Sequence, residues 1–167
     1  LLQIIAGPDW HDPAIVPMPL SDPDEVNVSK LRIAEHTDNG VMAPTQETAQ
    51  AVERAAAALS DTGAQVEIDL PKALERSSDL SSRLNSADGR AGTRRLLQSA
   101  GTTEVHPWLS KRIVDAVPID VGEYTALLEE IDRFRSEMLA FMEKYDAIVC
   151  PTCAYPAQPH GTTLTEE

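Results

Sequence analysis

A four-residue apolar run at residues 147–150 limits most strongly what this chain can fold into. Ala, Ile, Val and Cys stand there without an intervening polar residue, and Pro151 ends the run. Strands without polar alternation are typical of parallel sheets, where helices cover both faces. We therefore expect a strand that is buried on both faces. Ligands of open α/β sheets bind beyond the carboxyl ends of such strands, so residues 152–155 lie where a ligand site is expected.

A long amphipathic helix is predicted directly before this strand. Asp120 and Glu123 have the spacing of a capping box. After them, apolar residues recur at steps of three and four, which predicts a helix with one buried side. These apolar residues are Tyr124, Leu127, Leu128, Ile131, Phe134, Met138, Phe141, Met142 and Tyr145. The helix and the strand together span about residues 121–150.

A strand–helix–strand unit is predicted over about residues 30–70. Apolar and polar residues alternate in residues 30–35 and again in residues 65–70. Between them, Thr45 has the N-cap position of an Ala-rich helix that Gly63 ends. Such a unit has parallel strands and a right-handed crossover. The polar alternate face of its second strand favours a position near the sheet edge.

The fold class that follows is α/β, a portion of a mixed, largely parallel sheet that helices cover. Residues 1–29 are expected to be a helix end followed by a proline-rich linker, because five prolines stand in residues 8–25. Residues 71–118 are predicted to be helical and variable, with one short helix that begins at Pro107. Residues 119–167 hold the long helix, the strand and an exit loop.

The acidic composition limits the partners. Fourteen basic and 27 acidic residues give a formal net charge of −13. Nucleic acids and anionic membranes bind basic faces, so we expect neither as a direct partner. No apolar run approaches the roughly 18 residues of a membrane-spanning helix, and no signal peptide is visible. A cytoplasmic location is therefore expected.

Cys150 and Cys153 have the C-x-x-C spacing of redox sites and of half a zinc site. A redox cysteine needs a helix N-terminus, but a proline-containing loop follows here. Zinc needs about four ligands, and His160 supplies at most a third. We interpret Cys150 as a packing residue and Cys153 as a loop residue and expect no metal site, with redox or metal binding as the alternative.

Three segments, in this order, resemble the amidase signature family. Residues 5–9 read Ile-Ala-Gly-Pro-Asp, residues 30–71 hold the strand–helix–strand unit followed by Leu-Pro, and residues 145–152 read Tyr-Asp-Ala-Ile-Val-Cys-Pro-Thr. The resemblance implies hydrolysis of a small-molecule carboxamide by a serine, a second serine in a cis peptide and a lysine, without a cofactor. It also implies that residues 1–167 are a C-terminal-side fragment of a larger amidase domain, whose catalytic core lies upstream.

No catalytic residue is expected within this chain. The paired serines at residues 77–78 and 81–82 have no flanking glycine, whereas the family's nucleophile lies in a Gly/Ser-rich loop. None of the four lysines is placed near the expected ligand site; they are Lys30, Lys72, Lys111 and Lys144. The chain alone is therefore predicted to be inactive and to supply scaffold and part of the pocket wall.

Four residues are candidates for substrate contact. Thr152, Cys153 and Tyr155 follow the apolar strand, and Trp108 stands beside His106, where a substrate channel is an alternative to simple packing. His36 is a further candidate, because it follows the first strand at its carboxyl end.

Two other functions stay open. One is the amidotransferase subunit of a tRNA-dependent complex, which uses the same triad. The other is a non-catalytic α/β binding or regulatory module, such as a receiver domain; against it, Glu35 is the only acidic residue at the end of the first strand. A homodimer is kept as a further expectation.

Overall fold

The computed structural model describes residues 6–159, so the predicted helix end in residues 1–5 lies outside the described part. Within it, three strands form one parallel sheet in the order β2–β1–β3. The strands are β1 (Arg32–Glu35), β2 (Gln65–Ile68) and β3 (Ala147–Val149). The α/β fold class, the parallel pairing of β1 with β2 and the edge position of β2 are confirmed.

Helix α1 (Gln46–Asp61) connects β1 to β2. The hydroxyl oxygen of Thr45 accepts a hydrogen bond from the backbone N–H of Thr48, so Thr45 is the predicted N-cap. Gly63 follows the helix with a φ of +96°, a backbone conformation that residues other than glycine rarely adopt. The caps of this helix are therefore as predicted from the sequence.

Strand β3 is less buried than its sequence indicates. All three of its residues are half-buried, and Cys150 beyond it is exposed. The buried strand is β1, where Ile33 is 2% exposed and Ala34 is fully buried. The reason is position, because β1 has a neighbour on each side while β3 lies at the edge of the described sheet. The expectation that residues 147–150 are buried on both faces is therefore not met.

Four α-helices, separated by loops, lie within residues 77–142 after β2. They are α2 (Ser77–Ser86), α3 (Ala91–Ser99), α4 (Pro107–Val114) and α5 (Val121–Met142), and a 3₁₀ helix (Lys72–Arg76) precedes α2. The capping box of α5 is present: Asp120 accepts from the backbone N–H of Glu123 (2.8 Å), and Glu123 accepts from that of Asp120 (3.3 Å). Short helices in residues 71–118, including one from Pro107, are thus as expected.

Helices α2 and α5 share the main apolar cluster outside the sheet. Leu127 and Ile131 of α5 are buried with Leu80, which lies on α2, and Ala87. The rest of the apolar stripe on α5 is largely half-buried or exposed, so only its centre is covered. No helix among residues 6–159 has the length and apolar composition to span a membrane.

Candidate functional site

The carboxyl ends of β1 and β3 lie side by side, and the chain that leaves β3 crosses this edge of the sheet. Glu35 is paired with Val149, and the backbone N–H of His36 donates to the carbonyl of Val149 (3.2 Å). We call residues 150–158 the exit loop. Its Ala154 carbonyl accepts from the backbone N–H of Thr45 (2.7 Å), which ties the loop to the N-terminus of α1.

A cleft of about 210 Å³, which we call the carboxyl-edge cleft, opens between the exit loop and the segment that follows β1. Its walls combine one imidazole with mostly apolar or aromatic side chains. It is lined by His36, Asn39, Val41, Met42, Pro151, Thr152, Cys153, Ala154 and Tyr155.

A second, wider depression of about 740 Å³ lies between the exit loop and the first turns of α1. Thr152, Cys153 and Tyr155 line both depressions, which places the three residues predicted after β3 together at this edge.

One wall of the cleft is held by two short side-chain-to-backbone turns. The carboxylate of Asp38 accepts from the N–H of Gly40 (2.8 Å), and the side-chain oxygen of Asn39 accepts from that of Val41 (3.0 Å). Gly40 has a φ of +76°. These bonds fix the path of the backbone, so Val41 and Met42 are presented to the cleft from a defined loop.

His36 is the buried polar residue of the cleft. It is 7% exposed, and neither ring nitrogen has a hydrogen-bond partner among the described residues. Burial lowers the pKa of this imidazole, and the nearby charge of Asp38 opposes that effect. The ring is therefore neutral near pH 7, with one N–H donor and one acceptor nitrogen. Sequence reasoning noted its place beyond β1 but had no means of detecting the missing partners.

Trp108 lies in a different depression. It is on α4, where the guanidinium of Arg112 stands 4.6 Å from the centroid of its ring. The depression beside it is lined by residues of α2 and α4, including Ser78, Ser81 and Ser82. The structure thus brings together Thr152, Cys153 and Tyr155 but not Trp108, whose contact with substrate stays a prediction.

Both cysteines are free and exposed. Exposure contradicts the interpretation of Cys150 as a packing residue, because Cys150 lies just beyond the last residue pair of the edge strand. Cys153 lies in the exit loop, as expected. No group of three metal-ligating side chains occurs within residues 6–159, and His160 lies outside them.

The lining of the carboxyl-edge cleft holds neither a serine nor a lysine. The hydroxyls of Thr152 and Tyr155 and the neutral imidazole of His36 offer hydrogen bonds, while Val41 and Met42 offer apolar contact. Such a mixture of apolar walls with a few polar groups is usual for small-molecule sites.

The family model described as "Amidase" matches residues 1–166. Two solved structures share the fold. A fatty acid amide hydrolase has a TM-score of 0.68 and 24% identity, over 85% of this chain and 26% of the other. A bacterial aryl acylamidase of the amidase signature enzymes has a TM-score of 0.75 and 20% identity, over 97% of this chain and 36% of the other. No curated protein sequence matches the chain.

The chain therefore spans about a quarter to a third of the two solved structures. The match of the family model extends over nearly all of its residues. Two of the three segments that resembled amidase signature enzymes fall on the β1–α1–β2 unit and on β3 with the start of the exit loop, and the described part of the first, residues 6–9, precedes β1. This chain belongs to the amidase family.

Proposed function

We propose that this chain is part of an amidase that hydrolyses a carboxamide C–N bond, and that it supplies scaffold and one wall of the substrate pocket. The observation that carries the proposal is the exit loop, which crosses the carboxyl edge of the sheet and is tied to α1 through Thr45 and Ala154. It holds Thr152, Cys153 and Tyr155 at the edge where open α/β sheets bind ligands. Membership of the amidase family supports the reaction class.

The chemical step is assigned to residues outside this chain. A serine nucleophile needs a base that takes its proton and backbone N–H groups that meet the developing oxyanion. The lining of the carboxyl-edge cleft has no serine or lysine for these roles. Because amidase signature enzymes use a Ser-cis-Ser-Lys triad, membership of the amidase family leads us to propose that mechanism for the intact enzyme. Because the cleft lining has no serine or lysine, we propose no activity for this chain alone. A serine-directed phosphonate should label the intact enzyme, and peptide mapping should find the label outside residues 1–167; a label within them refutes this assignment.

Tyr155 provides the direct test of the pocket wall. Tyr155 is 44% exposed, and Tyr124 on α5 is 40% exposed. The two alanine variants therefore remove the same group at similar exposure. The assay compares p-nitroanilides with a large and a small acyl group. In the intact enzyme, Tyr155→Ala should change the ratio of their kcat/KM values by about tenfold, the scale of one lost apolar contact in a pocket. Tyr124→Ala should leave the same ratios unchanged. Equal effects of the two variants refute the assignment of the exit loop to the pocket.

The proposal extends to the partners and the location of the protein. We propose a small-molecule amide as substrate, a cytoplasmic location and a homodimer as the assembly, with no nucleic-acid or membrane partner; the formal net charge of −13 supports the last point. Hydrolysis of free amides by the intact enzyme alone separates this proposal from a tRNA-dependent amidotransferase subunit, which needs its complex. Light scattering measures the assembly, and cell fractionation measures the location.

A further inference from the structure

We propose that Tyr145 and Asp146 form a clasp that positions the exit loop, and that the clasp thereby sets the acyl selectivity of the pocket wall without touching the substrate. The inference rests on the proposed function, since it names what holds that wall in place. Both residues directly precede β3, at the end of the strand opposite to the exit loop. They are positioning residues, because they act through β3.

Asp146 fixes the start of β3 to β1. Its backbone N–H donates to the carbonyl of Arg32 (2.8 Å), and its carboxylate accepts from the backbone N–H of Arg32 (2.8 Å). The second bond holds the pKa of Asp146 below its usual range, so the acceptor is ionised at neutral pH. Hydrogen bonds to an ionised acceptor are stronger than neutral ones. The first residue of β3 is therefore held at one register on β1.

Tyr145 extends the clasp to the third strand. Its hydroxyl lies 2.8 Å from the carboxylate of Asp69 and 3.2 Å from that of Glu67. Glu67 belongs to β2, and β1 lies between β2 and β3. Neighbouring strands are about 4.8 Å apart, so roughly 10 Å separate β2 from β3. A long side chain is needed to span this distance, and Tyr145 joins the two strands across β1.

The surroundings of Tyr145 make it a firm donor. The residue is buried, and its ring centroid lies 5.0 Å from that of Phe141 on α5. The hydrogen bond to Asp69, together with burial, raises the pKa of Tyr145 to about 12, so the hydroxyl keeps its proton at neutral pH. The amine of Lys144 stands 3.8 Å from Asp69 and offsets part of the negative charge.

Strand β3 connects the clasp to the exit loop. It has three residues, and the exit loop begins directly after Val149. The loop is anchored at two places: the carbonyl of Val149 accepts from the N–H of His36, and the carbonyl of Ala154 accepts from the N–H of Thr45. When the clasp is released, β3 can shift along β1 and displace the first anchor relative to the second. The segment between them then moves, and Tyr155 follows it.

Hydrogen exchange in the protein tests the clasp directly. Tyr145→Phe keeps the ring and removes the hydroxyl. Protection of the His36 and Thr45 amides should fall about tenfold, the scale of one lost hydrogen bond. The amide of Gln65, which pairs β2 with the residue before β1, should be unchanged. An equal loss at Gln65 means general loosening and overturns the proposal, as does unchanged protection at Thr45.

Two sets of variants control for the nature of the change. Tyr124→Phe removes the same hydroxyl from an exposed residue of α5 and should leave all three amides unchanged. Asp69→Asn keeps an acceptor oxygen for Tyr145 and should retain most of the protection, whereas Asp69→Ala should lose about as much as Tyr145→Phe. A loss in Tyr124→Phe as large as that in Tyr145→Phe refutes the clasp.

The kinetic test asks whether the clasp acts through the exit loop. In the intact enzyme, Tyr145→Phe should change the ratio of kcat/KM between p-nitroanilides with a large and a small acyl group by up to about tenfold. In the Tyr155→Ala background the same substitution should leave the ratio unchanged, because the side chain that the clasp positions is already absent. Additive effects of Tyr145→Phe and Tyr155→Ala on this ratio overturn the proposal.

The two measurements separate failure of the clasp from failure of the proposed reaction. If the intact enzyme hydrolyses no amide but Tyr145→Phe lowers protection at Thr45 and not at Gln65, the clasp stands and the reaction class is wrong. If amides are hydrolysed and Tyr145→Phe changes neither the protection nor the ratio, the clasp is refuted and the reaction class stands.

Discussion

Replacing Leu127 by alanine tests whether the contact between α5 and α2 holds these helices together. Leu127 is 1% exposed and belongs to one apolar cluster with Leu80, Ala87 and Ile131. The substitution removes about three carbon equivalents, and at about 0.8 kcal/mol each the transfer term is about 2.4 kcal/mol. The cavity left behind extends the expected loss to about 2–5 kcal/mol. Partial collapse of the site decides where in this range the value falls.

The neighbouring residue supplies the control. Leu128 stands one position further on the same helix but is 39% exposed, so Leu128→Ala should cost well under half as much. Amide hydrogen exchange in the protein measures the effect locally, because opening of α2 exposes its backbone N–H groups. A loss of 2–5 kcal/mol corresponds to about 30-fold to about 4000-fold less protection, at tenfold for each 1.4 kcal/mol.

The reasoning is refuted by either of two results. If Leu128→Ala lowers the protection of α2 as much as Leu127→Ala, burial does not determine the contribution. If Leu127→Ala leaves α2 unchanged, other contacts hold the two helices together. The salt bridges between them are the obvious alternative: Arg83 of α2 makes two hydrogen bonds to Glu130 of α5 (2.7 and 3.1 Å). Their exposed position predicts only a small contribution, since solvent screens surface ion pairs and the two long side chains lose entropy when they pair.

Helix ends were the most predictable part of this fold. Thr45, Gly63 and the pair Asp120 and Glu123 act through hydrogen bonds or backbone conformations that involve neighbouring residues only. Such features depend on local sequence, and the structure has them where the sequence placed them. The parallel pairing of β1 and β2 was predictable for a similar reason, because one helix joins the two strands.

The burial of individual strands was not predictable from local sequence. Strand β3 is apolar throughout yet half-buried, whereas β1 carries polar residues and holds the most buried positions of the sheet. The difference arises because β1 lies between two strands whereas β3 lies at the edge of the described sheet, and local sequence does not encode the order of the strands. Ile68 shows the same limit, since it alternates like a core residue but is 87% exposed.

In the candidate site too, some residues could be located from the sequence and others depend on tertiary packing. Thr152, Cys153 and Tyr155 could be located from the rule that ligands bind beyond the carboxyl ends of parallel strands, and they line one cleft. Trp108 could not be excluded from that cleft by sequence, because its distance from the sheet depends on how α4 packs. The unpaired nitrogens of His36 depend on which neighbours surround the ring, and no sequence pattern encodes this.

Two further predictions concern stability. Gly89 and Gly101 both have a left-handed φ, +59° and +64°, but a Cβ at Gly89 meets Pro118 at 2.8 Å whereas one at Gly101 meets nothing within 4 Å. Gly101→Ala should therefore cost about 1–2 kcal/mol from backbone strain alone, and Gly89→Ala should cost more; equal thermal shifts contradict this. The second concerns His36, whose folded pKa lies below its ordinary 6.5. As pH falls through that ordinary value, His36 binds a proton more readily in the unfolded chain than in the folded protein. Protonation therefore favours the unfolded state, and the free energy of unfolding decreases. Urea denaturation from pH 7.5 to 5.5 should show a steeper loss of the free energy of unfolding in the wild-type protein than in His36→Phe, because the phenyl ring has no proton to bind. Parallel curves would mean that the imidazole is already solvated in the folded protein.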